Sequence, residues 1–208
     1  MVKDRRKLRT AELALAVGLL VACCWGASAL HSRQALADKV VRLHVLANSD
    51  SDADQALKLQ VRDVVVRRAA ELLAGAQNRA EAENRLRGEL PELQALAARE
   101  IAAEGYSYSV TAKLENTSFP TREYDGFTLP AGEYLALRVV IGAGEGHNWW
   151  CVVFPPLCTA ATSELGQTAM AAGLSEDDVR LITGDGEGYV LRFKTIELLE
   201  QLRARLAK

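Results

Sequence analysis

Residues 39–54 read KVVRLHVLA followed by NSDSDAD, and the change of character between Ala47 and Asn48 decides how the chain is read. Lys39 to Ala47 carries three valines and a partly alternating pattern, which predicts a strand. The polar run Asn48-Ser49-Asp50-Ser51-Asp52-Ala53-Asp54 stops it. Ser51 and Asp54 stand at capping-box spacing, so a helix should begin near Asp52. Leu57, Val61, Val64, Val65 and Leu72 then recur at helical spacing, with Lys58, Arg62, Arg67 and Glu71 expected on the wet face and Gly75 as the stop. A strand that gives way to a helix through a short acidic turn sets the pattern for the rest of the chain.

Toward the C-terminus, a second helical stretch starts near Arg79 and meets Pro91. Proline inside a helix removes a hydrogen bond and crowds the preceding turn, so Pro91 is expected in the first turn of a new helix. Leu93, Leu96, Ala97 and Ile101 would form the buried stripe of that helix, and Gly105 its end. From Tyr106 the period becomes alternating, with Tyr106, Tyr108, Val110 and Ala112 on one face. Tyr134 to Ile141 and Trp149 to Phe154 read as two further strands, joined through Gly142, Gly144 and Gly146. Antiparallel hairpins connecting these three strands are the economical topology. Beyond Pro155-Pro156, the expectations are a helix over 164–172 closed by Gly173 and a short helix opened by Ser175 with Asp178 at box spacing. A strand over 189–193 and a terminal helix over 196–206 should follow. Strands and helices segregate along the chain, so the class is α+β. The expected sheet is antiparallel or mixed, has about four to five strands and is covered by helices on one face.

Toward the N-terminus lies an address. Lys3, Arg5, Arg6, Lys7 and Arg9 precede Leu13 to Leu30, a stretch without charge. Basic residues, an apolar core and the small residues Ala27-Ser28-Ala29 are the parts of a signal peptide. The apolar run also sits at the lower edge of what spans a bilayer, so residues 1–37 are a signal peptide or a membrane anchor, and 38–208 a single extracytoplasmic domain. Ala35-Leu36-Ala37 offers a second cut site. Leu20-Val21-Ala22-Cys23 has the look of a lipobox, although cysteine also serves as a small hydrophobe in such runs.

Composition excludes several classes. With 49% hydrophobic and 25% charged residues, neither wholesale disorder nor a multi-span membrane protein fits. The whole chain carries a formal charge of −2, and the body beyond residue 29 about −5. A general nucleic-acid binder needs a basic stripe instead.

The chemistry-bearing residues are few. Cys151 and Cys158 could close a disulfide in an exported domain, or remain two buried thiols. Zinc held by these cysteines with His44 and His147 is disfavoured by their spacing, because structural sites usually place cysteines about two to four residues apart. Cys151 with His147 is the pair that a thiol-dependent hydrolase would need. Asp50, Asp52 and Asp54 imitate half of a calcium loop, but Gln55 and Val61 stand where its glycine and final glutamate belong. Helix capping accounts for these aspartates. No P-loop, GxSxG or HExxH pattern occurs, and neither a resident cofactor nor a metal is expected. Trp149 and Trp150 are adjacent in a strand, so they must face opposite sides. Both could be core, or one could anchor a partner, since tryptophan is frequent among binding hot spots.

Three separated segments carry a resemblance: VRLHVLANSDSDADQALKLQVRD at 41–63, FPTR at 119–122 with TLPAGEY at 128–134, and ALRV at 136–139 through NWWC at 148–151 to Cys158. Over roughly Lys39 to Lys208 the chain resembles the stage II sporulation protein R family. That resemblance implies a signal and not an enzyme. The protein would be made in the forespore and exported into the space between forespore and mother cell. There it would switch on a membrane-embedded aspartic protease that cleaves the precursor of the mother-cell sigma factor. No contact residues come with the family. The local reading nominates Arg42, His44, Asn48 and Asp50 at the first strand end, with Arg122, Asn148, Trp149 and Trp150, for binding the protease; their other reading is a network that orders the strand end and hairpins. A structural protein of the envelope is the remaining alternative.

Overall fold

The computed structural model describes residues 2–184, and the strand and helix expected over 189–206 lie outside the described residues. Helix α1 (Val2–Ala37) contains a 23-residue stretch, Leu15–Ala37, of mean hydropathy 1.6. It is long and apolar enough to cross a bilayer, and a signal sequence at the N-terminus has the same properties. Leu13, Leu15, Val17, Leu19 and Leu20 on it are all exposed. Residues 1–35 form one compact unit and 36–208 a second.

The second unit is α+β. Its described strands are β1 (Val41–Leu46), β2 (Val110–Phe119), β3 (Arg122–Tyr124), β4 (Phe127–Leu129), β5 (Gly132–Ile141) and β6 (Asn148–Phe154). Four of them make a mixed sheet in the order β2-β5-β1-β6, and β3-β4 is a separate two-stranded ribbon. β5 pairs antiparallel with β2, as expected, but it does not pair with β6. β1 lies between them, parallel to β5 and antiparallel to β6. All six residues of β1 are buried, as a central strand covered on both faces requires.

Alternation along these strands sorts two cores. On one face Val41, Leu43, Val45, Leu135, Leu137, Val139 and Cys151 pack against helices α2 (Asp52–Leu73) and α3 (Arg79–Ala103). Leu57, Val61, Val65 and Ala69 supply the α2 stripe, and each large apolar side chain so buried contributes roughly 1.5–3 kcal/mol. The opposite face is not bare, contrary to the expectation of helices on one side. Phe119, Phe127, Leu129, Tyr134, Ala136 and Val152 form a second core there with Leu36, Ala37 and two short helices, α4 (Leu165–Ala171) and α5 (Glu176–Thr183).

Local signals place most boundaries. Ser51 Oγ accepts the Asp54 N–H at the start of α2, and Ser175 with Asp178 forms a complete capping box on α5. Gly75 and Gly105, at positive φ, follow α2 and α3. Pro91 departs from expectation, because α3 runs through it. Leu86, Leu93, Ala97 and Ile101 are buried in one continuous register, so burial of the whole stripe outweighs a proline penalty of about 3 kcal/mol.

Glycines 142, 144 and 146 build an arch over the end of β1. Gly146 N–H bonds the Ala47 carbonyl at 3.0 Å, and Glu145 N–H bonds that of Asn48 at 3.2 Å. A Cβ on Gly146 would meet the Ser49 carbonyl, so close backbone approach explains this glycine.

Candidate functional site

The residues nominated from the sequence divide into three groups. Arg42, His44, Arg122, Asn148 and Trp150 come together on the second face of the sheet. Trp149 lies on the first face, toward α2. Asn48 and Asp50 serve the arch.

Arg42, the second residue of β1, is fully buried. Its guanidinium carbon lies 4.0 Å from the Phe119 ring centroid and 5.0 Å from that of Tyr134, and Nη2 donates to the Tyr124 hydroxyl at 2.6 Å. Stacking on aromatic faces suits a planar, weakly hydrated cation. Nε and Nη1 nevertheless have no hydrogen-bond partner. Burial pushes the Arg42 pKa below its ordinary value, partly opposed by Tyr124 and Tyr134.

His44, two residues on, points to the same face. Its Nε2 donates to Asn148 Oδ1 at 2.8 Å, and Nδ1 is buried without a partner. The ring meets Phe119 edge-on at 5.8 Å and tilts against Trp150 at 5.9 Å. Burial holds the imidazole pKa below its ordinary value; the Asn148 bond opposes this, and Arg138 and Arg42 add to it. Arg122, from β3, lies 3.8 Å over the Trp150 ring.

The two tryptophans face opposite sides. Trp150 belongs to the second core, while Trp149 is 37% exposed and carries Arg62 of α2 at 4.3 Å from its ring. Neither is a fully buried core residue.

Asn48 Nδ2 donates to Asp54 at 2.9 Å, and its Oδ1 accepts from Ala143 N–H at 3.0 Å. Asp50 accepts from the His147 main chain and also pairs with its imidazole. These contacts tie the α2 entry to the arch. Ser49 and Asn48 donate to the Asp54 carboxylate and are the main causes that hold its pKa below the ordinary value.

Cys151 and Cys158 are joined through their sulfurs with Cα atoms 6.1 Å apart. Cys151 is buried, and His147 turns to Asp50, so the pair a thiol hydrolase would use is not assembled. Among the described residues no cluster of His, Cys, Asp or Glu could hold a metal.

Sequence reasoning missed Phe119, Tyr124, Tyr134 and Arg62, whose roles depend on strand order. It also placed Lys58 in water. Lys58 is buried, donating to Gln55 at 2.6 Å and to the His147 carbonyl at 3.0 Å, and burial lowers its pKa. Arg62 is half-buried beneath Trp149.

The family model described as stage II sporulation protein R matches residues 37–164, short of the 39–208 span expected from the motifs. The stage II sporulation protein R of Bacillus subtilis (strain 168) is 43% identical over 121 residues, which cover 58% of this chain and 54% of that relative. The match thus spans about half the length of the curated relative. No solved structure matches.

Proposed function

Because the chain belongs to the stage II sporulation protein R family, we propose that it acts in sporulation as an exported signal from forespore to mother cell. The sporulation role comes with the family. In this reading the domain that follows the address binds a membrane-embedded aspartic protease outside the forespore and stabilises its active state. Cleavage of the mother-cell sigma-factor precursor follows. A ligand shifts such an equilibrium only by binding one state better than the other, so the domain acts by shape and charge and performs no chemistry.

The observation that carries the reading is the 23-residue apolar stretch Leu15–Ala37 behind a basic N-terminus, which would deliver the domain across a membrane as signal or anchor. The surface around Trp149 and Trp150 then faces the partner.

The test compares two copies in a deletion strain of a spore-forming host. One is full-length; the other begins at Leu36, so that the buried Leu36 and Ala37 stay with the domain. Sigma-factor cleavage is read by immunoblot. The full-length copy restores cleavage and the leaderless copy, held in the forespore cytoplasm, does not. Restoration by the leaderless copy overturns the proposal.

A further inference from the structure

Two cysteines take no part in the folded domain. Cys23 and Cys24 are free and exposed on α1, whereas Cys151 and Cys158 are joined to each other. A cysteine in an apolar run is often only a small hydrophobe. What sets Cys23 apart is its frame. Leu20 stands three residues before it, the small residues Val21 and Ala22 follow, and no charge lies between Glu12 and Cys23. Lys3, Arg5, Arg6, Lys7 and Arg9 precede that run. A basic start, an apolar core of about seven to fifteen residues and small residues at the cut make up an export signal. A lipoprotein signal adds one further part, a cysteine directly after the cut, whose thiol receives the lipid and turns a secreted chain into an anchored one. Cys24 lacks this frame, because Cys23 occupies the place of the small residue before it.

Depth in the bilayer agrees with this frame. Helix α1 is continuous from Val2 to Ala37, and Glu12 is the last charge before its apolar run. The basic residues hold that end on the inner side. At about 1.5 Å per helical residue, Cys23 lies about 16 Å beyond Glu12, past the midplane of a hydrocarbon core about 30 Å thick. Its thiol therefore reaches the outer leaflet.

The second core sets a condition that a cut before Cys23 meets. Leu36 and Ala37 are buried in that core, so a mature chain has to keep them. A cut after Ala37 strips both, whereas one between Ala22 and Cys23 leaves them, with residues 23–35 as the link from lipid to domain. A cut after Ala29 keeps them as well, but it discards both cysteines and releases the domain to be diluted outside the cell that made it. Tethering holds a binding domain at a higher effective concentration.

We propose that Cys23 is a lipid-attachment site and becomes the first residue of the mature chain. The Cys23 sulfur attacks the glyceryl carbon of phosphatidylglycerol that carries the phosphate. A C–S bond forms as the C–O bond breaks, and glycerol phosphate leaves with the proton of the thiol. Water then splits the Ala22–Cys23 peptide bond, giving a carboxylate on Ala22 and a free amine on Cys23. Membrane enzymes of the host catalyse both steps. The product carries two acyl chains, which hold firmly to a bilayer where a single chain binds only marginally. The proposal rests on the export reading above and names the form in which the exported domain is held.

The test expresses the full chain, Cys23→Ala and Cys24→Ala in a spore-forming host fed an alkyne-tagged palmitate. The native chain and Cys24→Ala take up the label, and Cys23→Ala does not. The label withstands neutral hydroxylamine, which releases acyl groups held as thioesters. Mass spectrometry of the native chain finds Cys23 at the N-terminus with two acyl chains attached. An inhibitor of the lipoprotein signal peptidase makes a labelled form that retains residues 1–22 accumulate. A mature chain beginning at Leu30, a native chain without label, label that survives Cys23→Ala, label lost with Cys24→Ala alone, or label released by neutral hydroxylamine would each overturn the proposal. The N-terminal peptide is read on the native chain, so an unstable variant does not blunt the test. Absence of lipid leaves the complementation result untouched, and restoration by a leaderless copy would leave the labelling untouched, so the two readings fail separately.

Discussion

The Arg42 guanidinium carbon lies 4.0 Å from the centroid of the Phe119 ring, fully buried and, among the described residues, without a carboxylate partner. Such a cation is held by faces of rings and one phenol, and two of its donors go unfilled. Replacing a buried ionic group by an apolar one of similar volume is often neutral or stabilising, by about 1–4 kcal/mol. Arg42→Met should therefore unfold in urea at an unchanged or higher midpoint. Arg42→Lys keeps the charge but loses the planar stack, and should cost about 1–3 kcal/mol. A large loss for the methionine variant would show that the charge itself holds the second core together.

The bridge between Cys151 and Cys158 spans seven residues and ends on the β6 edge. By chain entropy, so small a loop stabilises by about 2 kcal/mol. Reductant should lower the urea midpoint of the full chain by the equivalent of that amount. The double variant Cys151→Ser, Cys158→Ser should start at the lower value and ignore reductant. An unchanged midpoint on reduction of the native chain would show that the covalent link adds nothing to packing of the 155–158 turn.

Much of the fold was legible where its cause is local. The alternation in β1, β2, β5 and β6, the caps at Ser51 and Ser175, and the stops at Gly75 and Gly105 all follow from neighbours within a few residues. Strand order was not legible, because pairing is a long-range choice: KVVRLHVLA contains nothing that says β5 will lie beside it. Its polar residues held the clue, since Arg42 and His44 alternate with three valines and leucines that fill one core, and a central strand must bury its second face as well. Their partners stayed hidden for the same reason; Tyr124, which receives the Arg42 hydrogen bond, is 82 residues away. Lys58 was misread because the carbonyl that accepts from it comes from His147, on the far side of the arch. The opposed tryptophans were legible in direction, from strand geometry alone, but the cations that cap them were not.

His44 gives a pH dependence with a definite sign. Its folded pKa lies below the ordinary value of 6.5, so as the pH falls the unfolded chain takes up the proton first. The stability contributed by the neutral ring is complete above about pH 6.5 and is lost as the pH falls toward the folded pKa. Stability to urea should therefore fall as the pH drops below about 6.5, and His44→Gln, which can still donate to Asn148, should flatten part of that slope. Asp54 loses its own contribution lower down, as the pH falls from its unfolded value through its depressed folded one, so its effect is separable. A His44→Gln variant with the same pH profile as the native chain would remove His44 as the source.

The position of Leu36 limits where an exported chain can be cut. Leu36 is fully buried and Ala37 is 3% exposed, both in the second core with Phe119, Tyr134 and Leu181. Cleavage after Ala37 would strip that leucine, at a cost of the order of 2–5 kcal/mol for loss of a buried leucine side chain. Cleavage after Ala29, in Ala27-Ser28-Ala29, leaves it in place. The exported form should accordingly carry Leu36, whether it begins at Leu30 or keeps its whole address as an anchor. Mass spectrometry of the protein recovered from outside the cytoplasm reads this directly. A mature chain beginning at Asp38 and as stable to urea as one beginning at Leu30 would show that the second core closes without Leu36.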